Sequence, residues 1–323
     1  MVFRSISRKA LATFFLISIF FGPATAQQFP QRTVRFIVGY SPGGSIDMLA
    51  RAIAQGLSKK WTVGVVVENR AGADSVIAAT AVAQAVADGY TLFIASNALA
   101  ITASQNDLGY DPITSFTPII LMASVPNVLL VKASMMSINS LQDFVQLAKA
   151  KPGSLNFGSP GRSSPAHLEM MLLEQQAGIE LINIGYKGVT PVLTDLLSGS
   201  IDVTFASLSS SISLIESGKL KALAVSTIRR SPLLPNVPTV AEALNSQFDE
   251  AGTWVGLMAP AGTPDAIVSQ IRSEVATVLK DPQLVPLLEK QGYLPISKGG
   301  EGFKDFLKSE IDKSARLLEA EKK

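Results

Sequence analysis

Short apolar runs alternate along the chain with amphipathic stretches, and the order of the two periods predicts strands that feed helices. The runs at 34–38, 63–67 and 90–95 read as buried strands, since a short apolar run bounded by turn residues suits a strand covered on both faces. Between them, 46–58 and 76–87 carry apolar residues at helical spacing, and Asp88-Gly89 turns the chain into the third strand. A second series follows Pro126: strand 128–131, helix 141–150, a stop at Lys151-Pro152-Gly153, strand 155–157, helix 166–176, strand 181–184, helix 191–197, then strands 201–205 and 222–225. After a proline-rich passage at 231–238, 254–258 reads as a further strand before helices at 264–279, 282–291 and 302–321. In the last of these Phe303, Leu307, Ile311, Ala315 and Leu318 share one face, as a docked helix requires. This rhythm predicts an α/β fold of parallel-sheet type, built as two successive units.

The first residues change the picture of where the chain works. Arg4, Arg8 and Lys9 form a basic head, 11–21 is an apolar run, and Gly22-Pro23 breaks it before Ala24-Thr25-Ala26. That is the layout of a secretory signal cleaved after Ala26, and its apolar run is about half the ~20 residues that a membrane-spanning helix needs. Removing the signal takes the formal charge from +2 to −1. The remaining charges are scattered rather than clustered on one face, so no nucleic-acid partner is expected. The roughly 297 residues left are enough for two domains.

Composition removes much enzyme chemistry. The chain has no cysteine and one histidine, His167. Disulfides, thiol nucleophiles, thiolate-bound metals and centres that need two imidazoles are therefore excluded. No cofactor or metal is expected.

Two glycine- and serine-rich turns hold the best candidate chemistry, each following a strand and opening a helix. The first runs from Tyr40 through Ser41, Pro42, Gly43, Gly44 and Ser45 to Asp47; the second contains Gly158, Ser159, Gly161, Arg162, Ser163 and Ser164 and leads to His167. Glycines let a ligand approach the backbone, and the first turn of a helix presents unpaired N–H groups and a positive dipole end, so both turns suit an anion such as a carboxylate. In the first, Asp47 braces the loop or accepts from an ammonium group. In the second, Pro165 suits the first helical position, which makes Ser164 the expected N-cap, and His167 is expected as a structural hydrogen-bonder.

Gly39-Tyr40-Ser41-Pro42-Gly43 also matches the G-x-S-x-G nucleophile elbow, with His167 downstream, so a secreted α/β serine hydrolase on Ser41 and His167 is the competing reading. Its weakness is Pro42, which has no N–H where the elbow's oxyanion hole needs one. Ser45 stands where a phosphate-binding loop places lysine, and no G-x-G-x-x-G follows a strand, so nucleotides are not indicated. Asn97 lies just past a strand end, where open α/β sheets place ligands. Tyr186, Phe205, Ser207 and Trp254 lie near other strand ends and are candidates for the walls of the same cleft.

These segments resemble the Bug family of periplasmic solute-binding proteins, the receptors of tripartite tricarboxylate transporters. The resemblance rests on V-R-F-I-V-G-Y-S-P-G-G-S-I-D at 34–47, V-V-V-E-N-R-A-G-A at 65–73, A-D-G-Y-T-L at 87–92 and Y-D-P-I-T-S-F-T-P-I at 110–119. It continues through A-K-P-G-S-L-N-F-G-S-P-G at 150–161, Y-K-G at 186–188, G-K-L-K-A-L-A-V-S at 218–226, L-P-N-V-P-T-V-A-E-A at 234–243 and A-P-A-G-T-P at 259–264. It implies a two-domain periplasmic binding protein of type II, a Venus flytrap with the ligand cleft between domains: 27–125 with 229–323 in one, 126–228 in the other. It further implies a monomeric, non-enzymatic receptor that grips a small organic carboxylate with the two turns and delivers it to the large and small membrane permease subunits. A receptor that presents ligand to a sensor instead fits the same sequence.

Three departures from the family pattern bear on ligand identity. The usual A-G-A-G-G becomes Ala71-Gly72-Ala73-Asp74-Ser75, where Asp74 has three available roles: repelling an anion, binding an amino group, or capping the next helix. Arg162 occupies a position that is often small and has the fork geometry to pair with a second carboxylate. The serine run from Ser207 to Ser213 enlarges or polarises the cleft wall.

Overall fold

The structure, a computed structural model, describes residues 29–104, 108–135, 137–246, 248 and 252–321; the expected signal at 1–26 lies outside them. Four strands open the chain: β1 (Val34–Val38), β2 (Val65–Asn69), β3 (Thr91–Ser96) and β4 (Phe116–Val125). The chain then crosses at Pro126 into β5 (Asn127–Val131), β6 (Asn156–Ser159), β7 (Ile182–Gly185), β8 (Val203–Ser207) and β9 (Lys221–Val225), and returns for β10 (Thr253–Pro260) and β11 (Leu294–Gly299). These strands make two sheets, a six-stranded one ordered β11-β4-β10-β3-β1-β2 and a five-stranded one ordered β7-β6-β8-β5-β9.

Neither sheet is wholly parallel, which departs from the sequence rhythm. β1 pairs in parallel with β2 and β3, but β10 runs antiparallel to both β3 and β4, and β5 antiparallel to β8 and β9. The reason is the crossing. The chain leaves the first sheet at the end of β4 and re-enters it at the start of β10, so Val125 and Thr253 lie opposite each other on antiparallel neighbours. Gly252 sits at this return with φ +73°, and a side chain there would collide with the Val125 carbonyl.

The helices are α1 (Ser45–Trp61), α2 (Val76–Ala83), α3 (Asn97–Ile101), α4 (Leu141–Ala150), α5 (Pro165–Ala177), α6 (Val189–Ser198), α7 (Leu208–Glu216), α8 (Val240–Leu244), α9 (Asp265–Val278), α10 (Val285–Lys290) and α11 (Glu301–Glu321). None is long and apolar enough to cross a membrane, among the described residues. Buried apolar residues form three layers: one outside the first sheet, with Phe93, Trp254, Phe303 and Leu307; one outside the second, with Phe144, Phe157, Leu173 and Phe248; and one that joins the inner faces of both units. Val240 of α8 and Phe248 are buried in the second sheet's outer layer, although they lie beyond residue 228.

Five elements among the described residues have no counterpart in the sequence expectation: the short helices α3 and α8, the edge strand β11, and the two that bear most on the site, α7 and β4. The serine run is helix α7, with Leu208, Ile212 and Ile215 on one face. The whole of β4 escaped notice as well, because Thr117 and Pro118 interrupt its apolar pattern; it lies between β10 and β11.

Candidate functional site

The first turn begins where β1 ends and closes where α1 starts, with Asp47 as its brace. The Asp47 carboxylate accepts from the Gly43 N–H at 3.0 Å, from Arg51 Nε at 2.9 Å and from Asn69 Nδ2 at 2.8 Å. Burial opposes its charge, but these three hydrogen bonds outweigh burial and hold the carboxyl below the usual range. Asn69 Nδ2 also donates to the Tyr40 carbonyl at 3.0 Å, so both ends of the turn hang on the first turn of α1 and the end of β2. The Tyr40 hydroxyl is 3.2 Å from Ser96 Oγ, and burial raises its pKa.

The second turn joins β6 to α5. Ser164 is the N-cap: its Oγ accepts from the His167 N–H at 3.2 Å and donates to the Gly161 carbonyl at 2.7 Å, with Pro165 at the first helical position. His167 is buried against Phe157, and its Nδ1 accepts from Asn183 Nδ2 at 3.0 Å. Burial, reinforced by the nearby Arg162 cation, lowers its pKa to about 4, so the ring is neutral at physiological pH. Arg162 itself is exposed.

Between the sheets lies a cleft of about 500 Å3, including its open mouth. Four helices start on its wall: α1 through Gly44, Ser45 and Ile46, α5 through Ser164, Pro165 and Ala166, α6 through Val189, and α7 through Ser207. The N-caps of α1, α6 and α7, which are Gly44, Gly188 and Ser207, make no side-chain cap hydrogen bond. The cleft lining contains no lysine or arginine. Tyr40, Pro160, Phe205 and Ala206 make much of the remaining wall apolar, and Asn127 and Thr253 add polar groups. Each helix start is worth about 0.3–2 kcal/mol to an adjacent anion, so four together favour an anion there and lower the cost of desolvating one, while the Asp47 carboxylate on the same wall is already paired with Arg51.

The two units touch across this cleft. Ser41 Oγ donates to the Lys187 carbonyl at 3.1 Å, and Thr190 Oγ1 donates to the Pro42 carbonyl at 2.9 Å. The Ser163 N–H donates to Asp74 Oδ2 at 3.2 Å, and Thr253 Oγ1 donates to Asn127 Oδ1 at 3.2 Å. The first turn therefore closes directly on the start of α6, and Asp74 reaches the second turn.

Of the residues expected at the site, the structure brings Tyr40, Ser41, Gly44, Asp47, Ser164, Phe205 and Ser207 to the cleft wall. Gly43 and Gly161 shape the two turns with φ of +87° and +127°. It does not bring Asn97 or Trp254 there. Asn97 is spent on β10, accepting from the Trp254 N–H at 2.9 Å and donating to the Gly252 carbonyl at 3.2 Å, while Trp254 packs edge-on against Phe303 and Phe306 outside the first sheet. Gly158 packs beneath Val192 and Ile201, and Ser159 Oγ donates to Asn183 Oδ1 at 3.0 Å. The Tyr186 hydroxyl donates to Asp195 at 2.6 Å; burial and that carboxylate push its pKa up to about 12. Asn127, Val189 and Thr253 line the cleft without having been expected. Asn127 and Thr253 mark the two crossings between units, and the Pro126 and Gly252 that precede them are the only local signal.

The hydrolase geometry is not assembled: Ser41 and His167 have the separate partners given above, and no hydrogen bond joins them among the described residues. No cluster of three metal-binding side chains occurs among those residues.

The family model described as the tripartite tricarboxylate transporter family receptor matches residues 49–322. A UPF0065 protein in the tcbD–tcbE intergenic region of Pseudomonas sp. strain P51 is 34% identical over 294 residues, covering 90% of this chain and 86% of that one. An R. palustris protein solved with adipate has a TM-score of 0.87 at 34% identity, over 90% of this chain and 98% of that one. MatC from Rhodopseudomonas palustris, with bound malate, has a TM-score of 0.84 at 28% identity, over 90% of this chain and all (100%) of that one.

Proposed function

This chain belongs to the tripartite tricarboxylate transporter receptor family, and on that premise we propose that it captures a small organic carboxylate in the cleft between its two sheets. The observation that carries the reading is the meeting of four helix starts, from both units, on one cleft whose lining has no lysine or arginine. The ligand carboxylate accepts from the backbone at the start of α1, with Ser45 and Ser207 as hydroxyl donors and Phe205 as apolar wall; the hydroxyl hydrogens of Ser41 and Ser164 are already donated to the Lys187 and Gly161 carbonyls.

Two lobes close on the ligand, one built from 27–125 with the chain after 229 other than the α8 segment, the other from 126–228 with the α8 segment, because Val240 and Phe248 are buried there. Closure is favoured because one ligand contacts both lobes. The receptor works in the periplasm after cleavage at Ala26 and hands its ligand to the large and small membrane subunits of an ion-driven permease.

A thermal-shift screen of the mature protein tests this. Benzoate, hexanoate, adipate and malate are compared with a neutral sugar. A ligand at 100 times Kd stabilises by about 2.7 kcal/mol, which is a shift of roughly 4–5 °C for a chain of this size. A shift with a sugar and none with any carboxylate overturns the proposal.

A further inference from the structure

We infer that Asp74 is a specificity-determining residue that occupies the second turn with the protein's own carboxylate, so that the ligand is a monocarboxylate with an apolar body. The inference rests on the carboxylate-receptor reading above and names the substrate class of the same site. Asp74 belongs to the first unit, in the segment between β2 and α2, yet its Oδ2 accepts the N–H of Ser163 in the second unit at 3.2 Å. Its other oxygen, Oδ1, abuts Gly161 so closely that any side chain at 161 would collide with it. Those contacts place one full negative charge at the turn that opens α5, where a second ligand carboxylate would otherwise find its donors.

The position of Asp74 is held rather than incidental. Ala73, Asp74 and Ser75 have φ of +45°, +50° and +72°, three consecutive non-glycine residues in the left-handed region. Such a run persists only where the surroundings over-determine it. Here Ser75 is buried against Gly39 at the end of β1, where any side chain at 39 would collide with Ser75 Oγ. A second cavity, lined by Asp74, Tyr186 and Lys187, shares Tyr40 and Pro160 with the main cleft, so Asp74 lies directly behind the wall that a ligand in the main cleft touches.

A dicarboxylate brings a second anion toward an existing one that already uses the local N–H donor, and like charges in a partly dry site disfavour each other. A monocarboxylate of the same length meets instead the apolar wall formed by Ile46, Pro160, Val189, Phe205 and Ala206.

Hexanoate and adipate, matched in length and differing in one carboxylate, test this by titration calorimetry on the mature wild type, Asp74→Asn and Asp74→Gly. Both replacements tolerate a left-handed backbone, and melting curves verify folding. The wild type is expected to bind hexanoate at least tenfold more tightly than adipate. The adipate-to-hexanoate affinity ratio is expected to rise at least tenfold in Asp74→Asn, where the charge is gone, and further in Asp74→Gly, where the Ser163 N–H is released. A merely structural role for Asp74 lowers both affinities together and leaves the ratio unchanged, which overturns the inference while leaving the receptor intact. Wild-type preference for adipate also overturns it. Binding of neither acid, nor of benzoate, to the wild type overturns the inference, whereas the receptor reading on which it rests falls only if no carboxylate shifts the melting point in the screen above.

Discussion

Asn127 Nδ2 donates to both carboxylate oxygens of Glu169, at 3.0 and 2.9 Å, with Glu169 fully buried in α5. The other end of the same amide, Oδ1, accepts from Thr253 Oγ1. The line Glu169–Asn127–Thr253 therefore runs from the second unit into the first at the floor of the cleft, beside the crossing at Pro126. Glu169→Ala leaves the Asn127 amide without this partner and opens a void. It is expected to lower stability by about 2–4 kcal/mol in urea denaturation, and to weaken carboxylate binding because the amide is no longer held.

Gly44 faces Val189 across the cleft, and a Cβ at 44 would lie 3.1 Å from Val189 Cγ1. Its backbone is extended, with φ −79° and ψ 167°, so a larger residue meets no backbone strain there. The obstruction is to closure alone. Gly44→Val is expected to keep the wild-type melting point within a few degrees and to lose at least tenfold in ligand affinity by calorimetry.

Asp47 holds the first turn through the Gly43 N–H, Arg51 and Asn69. Asp47→Asn removes the charge that pairs with Arg51 and one acceptor of the set. Stability is expected to fall by about 1–3 kcal/mol, and carboxylate affinity by about tenfold as the Gly43–Gly44 backbone loses its orientation. Unchanged affinity in this variant would show that the turn is shaped without its brace.

His167 gives the fold an acid sensitivity. Its folded pKa, about 4, lies below the unfolded value of 6.5 because burial disfavours the imidazolium. The unfolded chain therefore binds the proton more readily, and stability is fully present above about pH 6.5 and falls as pH drops toward 4. At pH 4.5 this amounts to about 2–3 kcal/mol relative to pH 7. Urea denaturation at both pH values is expected to show that His167→Gln lacks this share of the loss. Asp47, held below the carboxylate range, contributes its own loss at lower pH, as it becomes protonated.

The two turns were legible in the residues because their chemistry is local: Ser164 caps the helix that Pro165 begins, and Gly43 and Gly161 adopt positive φ in loops that demand it. Helix α7 carried the apolar spacing of Leu208, Ile212 and Ile215, yet serine's weak helix propensity hid it. Asn97 and Trp254 show the converse. A strand-end position marks a residue as able to face a ligand, but which way its side chain points depends on its neighbours: β10 claims Asn97, and α11 claims Trp254 of β10 through Phe303 and Phe306.

By itself the sequence determined the α/β rhythm, the two glycine- and serine-rich turns and the scarcity of catalytic side chains, since each depends on residue type and short-range spacing. Packing of the whole chain was needed to set β4 and β10 side by side, to bring four helix starts and the side chains of Asn127 and Thr253 to one cleft, and to carry Asp74 onto the second turn. Those relations join residues as far apart as Phe116 and Pro260, 144 positions from each other. They are set by how two sheets pack and how the chain passes between them, which no local pattern encodes.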